Sequence, residues 1–199
     1  AYEMKYRLVG SEMCIRDLID ADDSSFKTGE DVHVLRLGHA LDSVGCAALP
    51  PLAEQRMRGL NTLTNRLLDT TELVILLTGL GGGVGTGAAH EFARQARQSG
   101  AVVLAVAALP FEQQTTRMDI ALEGLNRLES TAHVTVRLSL DRLARQAREK
   151  GQLWQMGAEW IEDLVDGLVR TLMRMGLINL DLMDLRAIVD HTGEATMLV

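Results

Sequence analysis

The sequence predicts an α/β fold with a largely parallel sheet. Two continuous apolar runs, ELVILLTG at 72–79 and AVVLAVAALP at 101–110, are of the kind found in strands buried on both faces. Segments of helical periodicity alternate with such runs along the chain. Between the two runs, residues 79–87 hold six glycines in nine positions and lead directly into helix-forming residues.

Taken in order, residues 1–17 show neither helical nor strand periodicity and read as a leader unmatched to the rest of the chain, an artefactual reading-frame junction. HVLRL at 33–37 reads as a short strand, and SVGCAALPPL at 43–52 as a small-residue loop closed by a Pro-Pro stop. Met57, Leu60, Leu63, Leu67 and Leu68 place one helix over 53–69. The strand at 72–79, the glycine stretch and a helix over 88–98 come after it, the helix ended by Ser-Gly. The strand at 101–110 stops at Pro110. An amphipathic helix over 117–129, a strand HVTVRLSL at 133–140 and a charged helix over 141–149 come next. A long apolar helix over 152–175 ends at Gly176, the loop LINLDLMD leads into a short helix, and GEATMLV enters another strand.

Composition narrows the function classes. The net charge of −7 lacks the positive field that non-specific nucleic-acid binding requires. The longest apolar run, Ala101 to Leu109, is about half of what a membrane-spanning helix needs. Cys14 and Cys46 form no spacing motif, which favours the cytoplasm. At 199 residues there is material for one full core.

The chemistry concentrates in TGLGGGVGTGAAHE, 78–91. Phosphates bind where backbone N–H groups converge at a helix N-terminus reached through a loop free of side-chain bulk. A Walker loop needs Gly-Lys-Ser/Thr, and no lysine lies between Lys27 and Lys150. A dinucleotide fingerprint fits only as Gly83-x-Gly85-x-x-Ala88, with Glu112 as a late acidic partner beyond a proline. A turn serving chain reversal alone rarely needs more than one or two positive-φ residues.

GLGGGVGTGAA resembles the signature loop of the tubulin/FtsZ family of GTPases, which in its bacterial form reads G-M-G-G-G-T-G-T-G-A-A. The likeness extends over about 18–199. LIDADDSSF at 18–26 resembles N-T-D-A-Q-A-L, which implies Asp22 as a nucleotide-side aspartate. GCAALPP at 45–51 is similar to the G-A-G-A-N-P loop near the terminal phosphate. ALPFEQQTTRM at 108–118 looks like K-P-F-x-F-E-G-x-x-R-M, one residue shorter. It implies Arg117 as a nucleotide contact and either Glu112 or Gln113 as the ribose-contacting acid's counterpart. RLSLDRL at 137–143 is similar to I-P-N-D-K-L, and GLINLDLMDLR at 176–186 resembles G-L-M-N-V-D-F-A-D-V-R.

The resemblance implies a Rossmann-like three-layer GTPase domain with a mostly parallel sheet and a long central helix. Residues 18–175 would form the nucleotide-binding domain, helix 152–175 included, and 176–199 the catalytic loop and the start of a second domain cut short by the chain's end. Gly81, Gly82, Gly83, Val84, Gly85, Thr86 and Gly87 would cradle the phosphates of GTP, with Mg²⁺ on them and a hydroxyl from Thr86. Asn179, Asp181 and Asp184 would enter the next subunit's pocket and polarise the attacking water, in a head-to-tail protofilament. Alone, Asp181 reads as a cap and Asp184 as a first-turn acid; the order and distance from the glycine loop favour catalysis. Such filaments reach a membrane only through separate tethers.

Several positions depart from the family. No second phosphate loop G-G-G-G-x-N precedes residue 18, the family threonine is Val84, and two family asparagines are Leu140 and Ala158. Glu159 replaces an aspartate and can still accept from a guanine N–H, while Trp154 takes an aromatic position that can stack on a base. Loss of polar partners for the base relaxes its selection. Three functions remain open: a GTPase of cell division or the cytoskeleton, a non-catalytic filament scaffold of the same family, and, on the forced fingerprint alone, a dinucleotide-dependent oxidoreductase.

Overall fold

A computed structural model describes residues 16–20, 32–38, 46, 48–151, 163, 167 and 182–189. Its first strands, β1 (Arg16–Asp20) and β2 (Val32–Arg36), pair in parallel from Arg16↔Val32 to Asp20↔Arg36. The remaining strands form a second parallel sheet of order β3-β4-β5: β3 (Leu73–Gly79), β4 (Val102–Leu109) and β5 (Val134–Ser139). Helix α3 (Gly83–Gln98) links β3 to β4, and α4 (Thr115–Thr131) links β4 to β5. Successive crossovers of one hand, moving in one direction across a sheet, lay their helices on the same face. Accordingly α3 and α4 pack on each other, and α1 (Pro50–Gly59) covers α3. The other described helices are α2 (Asn61–Leu68), α5 (Leu140–Glu149) and α6 (Leu182–Val189).

Several elements differ from expectation. Pro50 and Pro51 open α1 instead of closing a loop, because proline has no N–H to lose in a helix's first turn. The single helix expected over 53–69 is two, broken at Leu60 just after Gly59, a residue that weakens helix interiors. Strand β3, read as buried on both faces, is half-buried along its length; β4, with a strand on each side, carries the buried positions. The first strand also begins at Arg16, two residues inside the stretch read as patternless. The long helix expected over 152–175 lies outside the described residues except for helical Asp163 and Gly167.

The core is built from small and branched residues. Val103, Ala105 and Ala107 of β4 meet Ala88, Phe92, Ala93 and Ala96 of α3 and Ala121, Leu125 and Leu128 of α4. Alanines bring α3 close to both the sheet and its helical neighbours. One charged site interrupts this core. Glu91 of α3 is 1% exposed and receives hydrogen bonds from Arg94, from Gln95 and from Arg58 of α1. The hydroxyl of Thr64, in α2, donates to Gln95.

Burial pushes the Glu91 carboxyl up, but the donors from Arg94, Gln95 and Arg58 outweigh it and bring its pKa down from 4.5 to about 2. A carboxyl depressed by folding stabilises fully above its unfolded value and loses that contribution as pH falls through its folded one. Stability is therefore expected to fall between pH 4.5 and about 2 as this site protonates. Arg58 and Arg94 are half in water, which limits the net contribution to about 1–2 kcal/mol. Urea unfolding of Glu91→Gln should show that loss at pH 7 and a flatter acid limb than the parent chain.

Candidate functional site

The carboxyl ends of β3, β4 and β5 lie along one edge of the sheet, since Gly79 is paired with Ala108 and Leu109 with Ser139. In parallel sheets this edge is where ligands bind. The turns leaving it meet one another. Gly81 lies against Pro110, which follows β4, and against Arg117 in the first turn of α4. The backbone N–H of Glu112 donates to the carboxylate of Asp141 in the first turn of α5, at 2.8 Å. Ser139 caps that helix by accepting from the N–H of Arg142.

The glycine stretch turns into helix earlier than its composition suggests. Gly82 is the N-cap and α3 begins at Gly83, five residues before the expected start. The N–H groups of Gly83, Val84 and Gly85 have no acceptor within the helix, and Gly82 has no side chain to cap them. These donors, at the positive end of a 16-residue helix, suit an anion.

Close approach explains the glycines inside the helix. A Cβ on Gly85 would strike the carbonyl oxygen of Gly79, and one on Gly87 that of Pro50. A Cβ on Gly83 would come within 2.9 Å of the Cβ of Cys46. The helix N-terminus is thus wedged between the end of β3 and Cys46, Leu49 and Pro50, with Leu49 exposed. Gly82 is different: a Cβ there meets nothing within 4 Å, and its φ of −112° suits any residue. Gly81 has φ +91°, and a Cβ would lie 2.7 Å from the carbonyl oxygen of Arg117.

The expected site residues divide into four groups. Gly81–Gly87 and Arg117 come together: Arg117 Nε donates to the Gly81 carbonyl at 3.4 Å and Nη1 to Gln114 at 3.3 Å. Glu112 and Gln113 are exposed in the loop just beyond Pro110. Asp184 is exposed in the first turn of α6, far from the glycines of its own chain. The next residue but one, Arg186, donates to the carbonyl of Gly100 at 2.6 Å, and Gly100 follows the C-terminal end of α3. The 16 residues of α3 put about 24 Å between that end and the cradle. Asp22, Trp154, Ala158, Glu159, Asn179 and Asp181 lie outside the described residues.

Sequence reasoning missed Gly124 and His90. Gly124 forms a hollow in α4 against the Thr86 methyl, and the His90 ring, 7% exposed, lies 3.3 Å from the Thr86 carbonyl. A lone glycine inside a helical pattern is a packing signal that points to the first; nothing in the pattern marks the second. Among the described residues no helix is long and apolar enough to cross a membrane, and no group of three His, Cys, Asp or Glu side chains could hold a metal ion.

A family model for the GTPase domain of the tubulin/FtsZ family matches residues 18–148. The cell division protein FtsZ 2 of Halobacterium salinarum is 29% identical over 194 residues, 96% of this chain and 49% of that protein. The mitochondrial division protein fszA of Dictyostelium discoideum is 30% identical over 169 residues, 82% of this chain and 32% of that protein. An empty FtsZ dimer of M. jannaschii matches with a TM-score of 0.76 at 27% identity, covering 87% of this chain and 52% of its own. The chain spans about half the length of the cell division proteins FtsZ 2 of Halobacterium salinarum and Haloferax volcanii.

Two alanine substitutions separate the cradle from its packing. Gly82→Ala should unfold at the parent temperature, since its methyl meets nothing within 4 Å, but weaken binding of an anion at the adjoining N–H groups of α3 about tenfold. Gly87→Ala should destabilise by about 1–3 kcal/mol through overlap with Pro50, against the gain that alanine normally brings to a helix. Thermal unfolding and equilibrium binding check both.

Proposed function

The chain belongs to the tubulin/FtsZ family, as its GTPase domain, and from that premise we propose that it binds GTP at Gly81–Gly87 and assembles head to tail. Hydrolysis takes place at the boundary, where the acid loop of one subunit completes its neighbour's site. The observation that carries this reading is the separation within one chain: the cradle sits at the carboxyl edge of the sheet, and α6 with Asp184 docks at Gly100, the length of α3 away. An acid at that distance from the glycine turn of its own chain suits a role at another subunit's nucleotide. Exposed apolar side chains flank both ends, Leu49 beside the cradle and Met183 beside Asp184, which suits a heterologous contact.

In this mechanism the N–H groups at the start of α3 hold the phosphates, and Arg117, with Nη2 to spare, contacts the nucleotide. Glu112 or Gln113 contacts the ribose, Asp22 serves as a nucleotide-side aspartate, Trp154 stacks on the base, and Glu159 accepts from a guanine N–H. Asn179, Asp181 and Asp184 of the adjoining subunit orient the attacking water. Catalysis is positioning and charge stabilisation. Mg²⁺ bound with the nucleotide would supply neutralisation of the phosphate charge. The domain works in the cytoplasm, in cell division or a cytoskeleton, reaching a membrane through other proteins.

Val84 favours a second reading, a filament scaffold that binds nucleotide weakly. It sets an apolar side chain, packed on the core, where the family has a hydroxyl beside the phosphates. Nucleotide-indifferent sedimentation would support that reading. The oxidoreductase reading loses its footing, because Gly83 and Gly85 of the forced fingerprint already lie inside α3.

The test is complementation. Asp181→Ala is expected to abolish GTP turnover while sparing binding of a fluorescent GTP analogue, and Gly82→Ala to weaken binding. Mixing the two should restore part of the turnover, because an intact cradle then meets an intact acid loop. Silence in the mixture, or full turnover by Asp181→Ala alone, would sink hydrolysis in trans. Competition by GTP, ATP and NAD reports on base selection.

A further inference from the structure

The family resemblance assigns the Thr86 hydroxyl to a phosphate, yet this side chain is committed elsewhere. Its Oγ1 accepts the N–H of Gly81 at 2.9 Å in a buried hydrogen bond. Its methyl fills the hollow at Gly124 of α4, where any Cβ would overlap it. The residue is 4% exposed. The Gly81 carbonyl is held from the other side by Arg117 Nε. Both polar groups of Gly81 are therefore engaged, within a left-handed conformation of φ +91°.

We propose that Thr86 is a positioning residue: its hydroxyl fixes Gly81, and through it the direction from which the chain enters α3, so that the N–H groups after Gly81 converge on one phosphate. The inference deepens the proposed GTP site and rests on that reading for its ligand. The peptide following Gly81 is oriented by the torsions of Gly81, and a glycine has no side chain to restrain them. Some other group must do so. Thr86 is suited, because it sits in the first turn of the helix whose N-terminus is to be aligned, and its methyl keys that turn to α4. Serine would keep the hydrogen bond and lose the key. Valine would keep the shape and leave a buried N–H without its acceptor.

Amide hydrogen exchange of Gly81 in the nucleotide-free chain tests the device directly, alongside affinities for GTP and GDP. Thr86→Ser is expected to keep Gly81 protected and both affinities within about twofold. Thr86→Val should expose the Gly81 amide to exchange and weaken GTP and GDP alike, by about tenfold. Comparing Thr86→Ser with Thr86→Ala asks the same question if valine prevents folding, since that pair differs only in the hydroxyl. Unchanged Gly81 exchange on loss of the hydroxyl would overturn the inference. So would weakening confined to GTP, the mark of direct contact with the terminal phosphate. A parent chain that binds no GTP would instead refute the proposed function, while the exchange measurement still decides the role of Thr86.

Discussion

The first turn of α3 is packed backbone against backbone, and much of the site depends on that approach. Gly85 lies on the Gly79 carbonyl and Gly87 on that of Pro50, with no room for a methyl at either. A helix can come this near to the end of a strand only where side chains are absent. The outcome is a helix N-terminus held among β3, α1 and the 46–51 segment, its free N–H groups fixed in direction. Rigidity here has a cost in helix propensity, because glycines are poor helix formers. Packing on alanine-lined surfaces of α1, β4 and α4 offsets it.

The same helix measures the distance between the two halves of the proposed chemistry. Its N-terminus faces the carboxyl edge of the sheet, and its far end runs into Gly100, where Arg186 anchors α6. A rod of about 24 Å, with α6 held at its far end by Arg186, separates Asp184 from the glycine turn of its own chain. Midway along α3, Glu91 ties the rod to α1 through Arg58, and His90 lies 3.5 Å from Glu54 of α1, which in turn pairs with Arg127 of α4. These ionic contacts join α3 to both neighbours at mid-length, so the rod is braced where an all-alanine interface would slide.

Much of this architecture is legible in the sequence, because it stems from period and from glycine. The apolar runs became β3 and β4, and the strand–glycine–helix order located the turn into α3. Legibility failed where one residue type serves opposite ends of an element. Pro50-Pro51 stops a strand or starts a helix, and only the packing of α1 on α3 decides. The glycines at 83, 85 and 87 argue against helix by propensity, yet tertiary contact overrides them. The commitment of the Thr86 hydroxyl to Gly81 and the burial of Glu91 are distances between segments, and periodicity carries no such information. On the acid loop, the described residues reach only Asp184, so the grouping expected with Asn179 and Asp181 stays with the proposal.

The division between backbone and side chain bears on how far this chain can diverge from its family and still hold a nucleotide. The cradle's donors are main-chain N–H groups, which survive any substitution that leaves the helix start in place. Replacing a threonine hydroxyl by Val84 removes at most one bond from such a site. Base selection has no such insulation: it rests on side chains whose removal leaves the wrong base no worse paired than the right one. Leu140, the first residue of α5, offers no polar group in its side chain where the resemblance of RLSLDRL to I-P-N-D-K-L implies an asparagine. On the proposed reading, divergence therefore erodes guanine preference before it erodes phosphate binding.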